Sequence, residues 1–339
     1  MIIRIISFTK KGSILSSKIR EALTEDRVEI IEKDRDIEDV IKDSFEYGTA
    51  LVFIGAVGIA VRKISPYVKD KLTDPCVVVI DENGEFVIPV LSGHVGGGNR
   101  LSRKIAKGIK ATPVITTATD VNGKFGVDEF AVENDLFIKN RSCIKKVAKK
   151  VLEGEKIKAG IIKDKEFAFE SVSDKLKEIP EVETAYTDNG DPVDILITCD
   201  RDTESSDTLI LIPKRYVLGI GCKKGTDAKD IENFVMEQLN KNGIDISEVC
   251  AVASVDLKKD EEGILKFASK IKAKALFFDS DTLNRAEGDF SESEFVKKVT
   301  GVSNVCERAA VTAAGAGCET IIKKTAGNGV TMALTLRKM

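Results

Sequence analysis

The sequence predicts an α/β protein of several α/β units with mixed sheets, including a separate carboxy-terminal α/β domain. Three observations lead there. Apolar runs of strand length alternate with amphipathic stretches of helix length. Two Asn-Gly pairs, Asn83-Gly84 and Asn328-Gly329, lie between apolar runs and mark hairpins, which bring antiparallel strands into otherwise parallel sheets. With 339 residues the chain has room for two or three domains, and a fresh strand–loop–helix pattern begins near Tyr216.

The amino-terminal domain is expected over residues 1–130. IIRIISF reads as its opening strand and KGSILSSKIREAL as a helix. TALVFIG is a buried strand that runs into the glycines of GAVGIAVRKI. PCVVVIDENGEFVIPVL forms the first hairpin. A glycine loop at 93–98 follows, then the helix NRLSRKIAKGI and the strand TPVITTA. The middle segment, 131–214, reads as an insertion or packing domain without a chemical motif. It holds the helix SCIKKVAKKVLEG and the strands DILITCD and TLILIPK, with the polar turn RDTESSD between them.

The third domain is expected over 215–339. YVLGIG is a strand, CKKGT a tight loop and DAKDIENFVMEQLNKNG a helix whose Ile231, Phe234, Val235 and Leu239 share one face. ALFFDSD is a further strand. Ser291 with Glu294, and Asn304 with Glu307, stand at capping-box spacing ahead of two helices. The second of these is made of small residues, suited to close packing against a neighbour or a flat ligand. The closing hairpin turns at Asn328-Gly329.

Hydrophobic residues make up 42% of the chain and charged residues 32%, the balance of a folded and highly soluble protein. A net charge of −3 argues against a general nucleic-acid binder. The longest apolar run, ALVFIGAVGIAV, is too short to span a bilayer, and no secretion signal is read at the start. Seven scattered cysteines without a CxxC pair speak against a disulfide framework or a zinc site. A cytoplasmic protein with reduced thiols is expected, with no nucleic-acid or membrane partner.

Chemistry is expected in three loops. His94, the only histidine, sits in LSGHVGGGNRL. The amides of Gly96, Gly97 and Gly98, the start of the next helix at Asn99, and the charges of Arg100 and Arg103 suit a carboxylate or phosphate. His94 beside them could serve as acid or base, or only cap a flexible turn. In GIGCKKGT, Gly221, Lys223 and Lys224 suit an anion or a plain helix cap; the spacing misses both the dinucleotide fingerprint and the ATPase loop. In TTATDVNGKFGVDEF, Asp120 and Asp128 could belong to a metal loop, but a polar hairpin turn fits their sparse spacing better. Glu307 reads as a cap rather than a catalyst, and Arg308 as either structural or functional.

FIGAVGIAVRKISPYVKDKLTDPCVVVIDENGEFVIPVLSGHVGGGNRL, followed by TPVITTATDVNGKFGVD, resembles the amino-terminal part of the CbiG family of cobalamin biosynthesis. VLGIGCKKGT, SEFVKKVTGVSNVCERAAVTAAG and KKTAGNGVTMAL resemble its carboxy-terminal domain, which is related to the small CobE-type proteins. The resemblance spans nearly the whole chain. It implies a cobalt-precorrin-5A hydrolase, which opens a δ-lactone on a cobalt-bearing macrocycle and releases the C20 carbon with its methyl as acetaldehyde. His94 would activate the water, with Asp120 as the second candidate base. The glycine amides would hold the oxyanion, and Asn99, Arg100, Gly221, Lys223, Lys224 and Arg308 would bind the macrocycle's carboxylates. No cofactor is implied, because the cobalt travels with the substrate. Transient contact with other enzymes of the pathway would follow. A non-catalytic tetrapyrrole carrier is the alternative.

Overall fold

A computed structural model describes residues 2–338 apart from 25, 33–34, 46–47, 71–72, 95, 165–168 and 188–191. It divides into two compact units, Met1–Glu129 and Phe130–Met339. Among the described residues no helix is long and apolar enough to cross a membrane.

The first unit runs through β1 (Ile2–Ser7), α1 (Lys10–Ala22), β2 (Arg27–Ile30), α2 (Ile37–Ser44), β3 (Thr49–Ile54), α3 (Val57–Ile64), β4 (Cys76–Ile80), β5 (Phe86–Leu91), α4 (Gly98–Ile109), β6 (Thr112–Pro113) and α5 (Ala118–Val121). The sheet order is β2-β1-β3-β4-β5-β6. The first four strands are mutually parallel, and β5 turns back against β4 through Asn83-Gly84. Side chains alternate across the sheet with the period of two that a pleated strand imposes. Ala50, Val52 and Ile54 face a core with Leu15 and Ile19 of α1 and Leu101 and Ile105 of α4. Leu51 and Phe53 face the opposite core with Val40 and Ile41 of α2 and Ala60 and Ile64 of α3. Both faces are covered, which is why these strands are apolar throughout. The expected strand TPVITTA shrinks to the two residues of β6, and the segment beyond it turns into α5.

Helix α6 (Val127–Glu133) carries the chain into the second unit. There β7 (Leu136–Ile138), α7 (Ile144–Leu152), β8 (Ile157–Ile161), α8 (Glu170–Lys177), β9 (Val182–Tyr186), β10 (Ile195–Ile197) and β11 (Leu209–Pro213) build a sheet ordered β7-β11-β10-β8-β9. The polar loop before β11 is pinned rather than loose. Asn140 donates to the carbonyls of Ser205 and Thr208 at 2.8 and 2.7 Å, and accepts from the Ile210 amide at 2.8 Å.

The second unit continues with β12 (Tyr216–Cys222), α9 (Ala228–Lys241), β13 (Val249–Val255), α10 (Glu262–Lys270), β14 (Lys274–Phe278), α11 (Ser280–Asn284), α12 (Glu294–Thr300), α13 (Val305–Ala314), β15 (Glu319–Gly327) and β16 (Val330–Leu336). Its sheet is ordered β14-β13-β12-β16-β15. Ile231, Phe234, Val235 and Leu239 of α9 are buried against one face. Ala309 and Ala310 of α13 are buried against the other. Here the small residues serve close packing: a Cβ on Gly219 of β12 would lie 1.8 Å from the carbonyl oxygen of Cys306.

The caps differ partly from expectation. α12 is capped by Ser293, not Ser291. The Ser291 amide instead donates to Glu307 at 3.0 Å. Asn304 caps α13 as expected, accepting from the Glu307 amide at 3.0 Å. The two sheets of this unit meet through buried Glu248, which accepts from Arg201 at 3.0 Å and Arg215 at 2.9 Å.

The third sheet and its helices are complete within 215–339, and that fragment keeps Arg215 for Glu248. Expressed alone, it is expected to unfold cooperatively in urea. Gly219→Ala should abolish that transition or lower its stability by more than about 3 kcal/mol, because helix backbone rather than a flexible side chain blocks the new methyl.

Candidate active site around His94

Because β5 runs against β4, the glycine loop emerges at the amino end of β4, with Leu91 paired to Val77. Buried Ser92 opens the loop in a left-handed conformation, φ 52°, and its hydroxyl donates to the Asp74 carbonyl at 3.1 Å. That conformation is uncommon for serine and costs about 1 kcal/mol. Close contact demands the glycines that follow. A Cβ on Gly93 would lie 2.6 Å from Asn99 Oδ1, and one on Gly96 would lie 2.5 Å from Ser92 Cβ.

The loop's amides are largely spent inside the turn, which corrects the expectation of an amide cradle. Gly97 N–H donates to the His94 carbonyl at 2.8 Å, Gly98 to Ser92 at 3.1 Å and Asn99 to Gly93 at 2.8 Å. Of the three glycine amides expected to hold an oxyanion, only that of Gly96 has no partner among the described residues. The glycines make a tight turn that aims His94 and Asn99. They do not line an open channel.

The stretch expected as a hairpin turn is instead two short helices, α5 and the start of α6. Their carboxylates converge on the histidine. Asp120 Oδ2 lies 2.8 Å from His94 Nε2, and Asp128 Oδ1 lies 3.2 Å from His94 Nδ1. Asn99 Nδ2 donates to the same Asp120 oxygen at 2.9 Å, and Arg103 donates to the other. Thr117 Oγ1 accepts from Asn99 at 2.9 Å. His94 and Asp120, the two alternative bases of the sequence reading, thus lie in contact. Asp128 and Arg103 complete the cluster. The sequence left Asp128 as one half of an unpersuasive metal loop; its only signal was to share a polar stretch with Asp120.

Hydrogen bonding to Asp128 is the main force that raises the His94 pKa, to about 9. Burial opposes it, and the charge of Asp128 and the bond to Asp120 add to it. The ring is therefore held as an imidazolium at neutral pH, which favours the acid over the base among the roles open to it. Burial works against the Asp120 carboxylate, but the bonds from Arg103 and His94 outweigh it and hold its pKa below the ordinary value. Beneath the loop the Cys76 thiol is pushed up to about 12 by burial, so it stays protonated and offers no nucleophile. Arg100 is exposed on the first turn of α4. Among the described residues no group of three or more His, Cys, Asp or Glu side chains is arranged to hold a metal ion.

The remaining expected residues lie in the second unit. Gly221 sits in β12, where a Cβ would meet Thr331 Oγ1 at 2.6 Å. Lys223 and Lys224 are exposed, but the loop amides are again occupied. Lys223 N–H donates to Gly329 at 3.1 Å, and Gly225 N–H donates to the Glu261 carboxylate at 2.6 Å. Arg308 is committed to structure: its guanidinium donates to the carbonyls of Leu283, Asn284 and Ala286 and lies 4.6 Å over the Phe290 ring. Glu307 accepts from Ser291, Asn304 and the Lys324 amide, which makes it a structural carboxylate.

The raised pKa of His94 carries a stability consequence of known sign. A group with a folded pKa above its unfolded value stabilises fully below the unfolded pKa, here the ordinary 6.5, and loses that contribution as pH rises through about 9. Chemical denaturation at pH 6 and pH 10 should show wild type losing up to roughly 3 kcal/mol more than His94→Gln over that span. Equal losses in the two proteins would mean that His94 is not held as a cation.

Residues 39–120 match the family description of the cobalamin synthesis G amino-terminal region, and residues 216–335 match that of its carboxy terminus. A cobalt-precorrin-5A hydrolase of Priestia megaterium is 35% identical over 302 residues, covering 86% of this chain and 79% of that protein. The Salmonella typhimurium protein of the same name is 35% identical over 283 residues, covering 79% of this chain and 77% of that protein. A probable cobalt-precorrin-5A hydrolase of Methanocaldococcus jannaschii is 32% identical, with each chain covered in full. On these matches, with His94 and Asp120 inside the first matched region, the chain belongs to the cobalamin synthesis G family.

Proposed function

We propose that the protein is a cobalt-precorrin-5A hydrolase acting in cobalamin biosynthesis. Its likeness to relatives of that name, 32–35% identical over most or all of the chain, carries this reading. The His94 cluster supports it, because opening a δ-lactone needs a proton donor for the departing oxygen. Water oxygen bonds to the lactone carbonyl carbon and gives up a proton. The ring C–O bond breaks, and its electron pair leaves on an oxygen that takes a proton. Acetaldehyde then departs as the new hydroxyl loses its proton and the C–C bond breaks, its electron pair passing into the conjugated macrocycle.

The flat macrocycle is ringed by carboxylates, and a charge of the matching sign is offered by exposed Arg100 in the first unit and, separately, by exposed Lys223 and Lys224 in the second. Arg308 leaves this set because its guanidinium is engaged in the fold. Cobalt enters with the substrate, so no resident metal or cofactor is proposed. All seven cysteines are free thiols, which suits the reducing cytoplasm. An unstable intermediate favours brief contact with the enzymes that supply and consume it.

Incubation with cobalt-precorrin-5A should release acetaldehyde, read as NADH oxidation by coupled alcohol dehydrogenase. His94→Gln should slow release about 10²–10⁴-fold with binding largely preserved. A carrier would release none with either protein. Activity should survive chelation and desalting; loss that added zinc or magnesium restores would overturn the metal-free reading. Lys223→Glu with Lys224→Glu should weaken binding most at low salt, where charge repulsion is least screened. Unchanged affinity there would remove that loop from macrocycle binding.

A further inference from the structure

We infer that Asp128 is a positioning residue for the reaction: with Asp120 it clamps the His94 ring at both nitrogens, so that the ring meets the substrate as an imidazolium able to give a proton rather than take one. The chemical role rests on the hydrolase reading above; the clamp itself rests on geometry alone.

A neutral imidazole carries one N–H and one lone pair, and an ionised carboxylate only accepts. Here both nitrogens face carboxylate oxygens, Nδ1 at 3.2 Å from Asp128 and Nε2 at 2.8 Å from Asp120. A neutral ring would aim its lone pair at one of them. Asp120 does not relieve that clash by taking up a proton, because Asn99 and Arg103 also donate to it. With both carboxylates ionised, only the doubly protonated ring satisfies both contacts.

The two carboxylates come from different elements, Asp120 from α5 and Asp128 from α6, so together they fix the ring's position and its plane. Thr119 Oγ1 of α5 lies 3.3 Å from Nε2. From α4, Arg103 reaches Asp120 on the oxygen that His94 does not use. Gly126 sets no side chain against the ring edge: a Cβ there would lie 3.6 Å from Cε1.

The proton balance closes through solvent. Water bonds to the lactone carbonyl carbon and releases a proton to bulk water. The C–O bond breaks toward the ring oxygen, which takes a proton from His94, and bulk water recharges the ring. Asp120 and Asp128 stay ionised throughout.

The single histidine makes the test direct, because the full-length protein gives one imidazole Cε1–H resonance. Its midpoint in wild type is expected near 9. In Asp128→Asn it should fall by about one unit or more. The basic limb of the kcat/KM profile should fall by the same interval, with kcat at pH 8 reduced roughly tenfold or more and KM little changed. Asp128→Glu should restore part of both. An unshifted midpoint in Asp128→Asn, or lost activity with an unshifted profile, would reduce Asp128 to a structural role. If Asp128→Asn does not fold, the wild-type titration decides: a midpoint at the ordinary 6.5 would sink the clamp. Absence of acetaldehyde from wild type would overturn the hydrolase reading, while the titration would still judge the clamp.

Discussion

Asp120 holds the candidate site together by accepting from three donors that the chain delivers from two places. His94 comes from the loop after β5, and Asn99 and Arg103 come from successive turns of α4. A buried carboxylate is costly unless its oxygens are satisfied. Satisfying them fixes the loop relative to the helix. The glycines then become intelligible: Gly93 must lack a Cβ because the Asn99 side chain occupies that space on its way to Asp120.

Charge balance follows from the same contact. Two cations, His94 and Arg103, face two carboxylates, Asp120 and Asp128, within one partly buried cluster. Each charge is paired, so desolvation is offset locally. His94 owes its proton to its neighbours, and an isolated histidine in a glycine turn would titrate near its ordinary value.

How much of this could be read beforehand depended on whether the signal was local. The Asn-Gly hairpins, the apolar face of α9 and the cap at Asn304 are written within a few residues of themselves, and each took the form the sequence suggested. The helix α6 was missed because it starts within a polar, glycine-containing stretch that also fits a turn. Asp128 was missed as a partner of His94 because 34 residues separate them and only the fold brings them together. The glycine loops were misread in one consistent way. Sequence shows that a side chain is absent, but not whether a ligand or the chain's own backbone takes the space. At Gly219 it is the backbone of α13. In the GIGCKKGT loop an internal carboxylate, Glu261, holds the Gly225 amide.

The reversal of β5 has a separate consequence. Open α/β sheets ordinarily carry ligands beyond the carboxyl ends of their parallel strands, where successive connections diverge. Here one backward strand delivers the histidine to the amino end of β4 instead. The loops after β1, β3 and β4, which leave from the carboxyl ends, are therefore released from holding the histidine cluster. A single inserted residue between Ser92 and Asn99, by contrast, would break the turn on which the cluster is built.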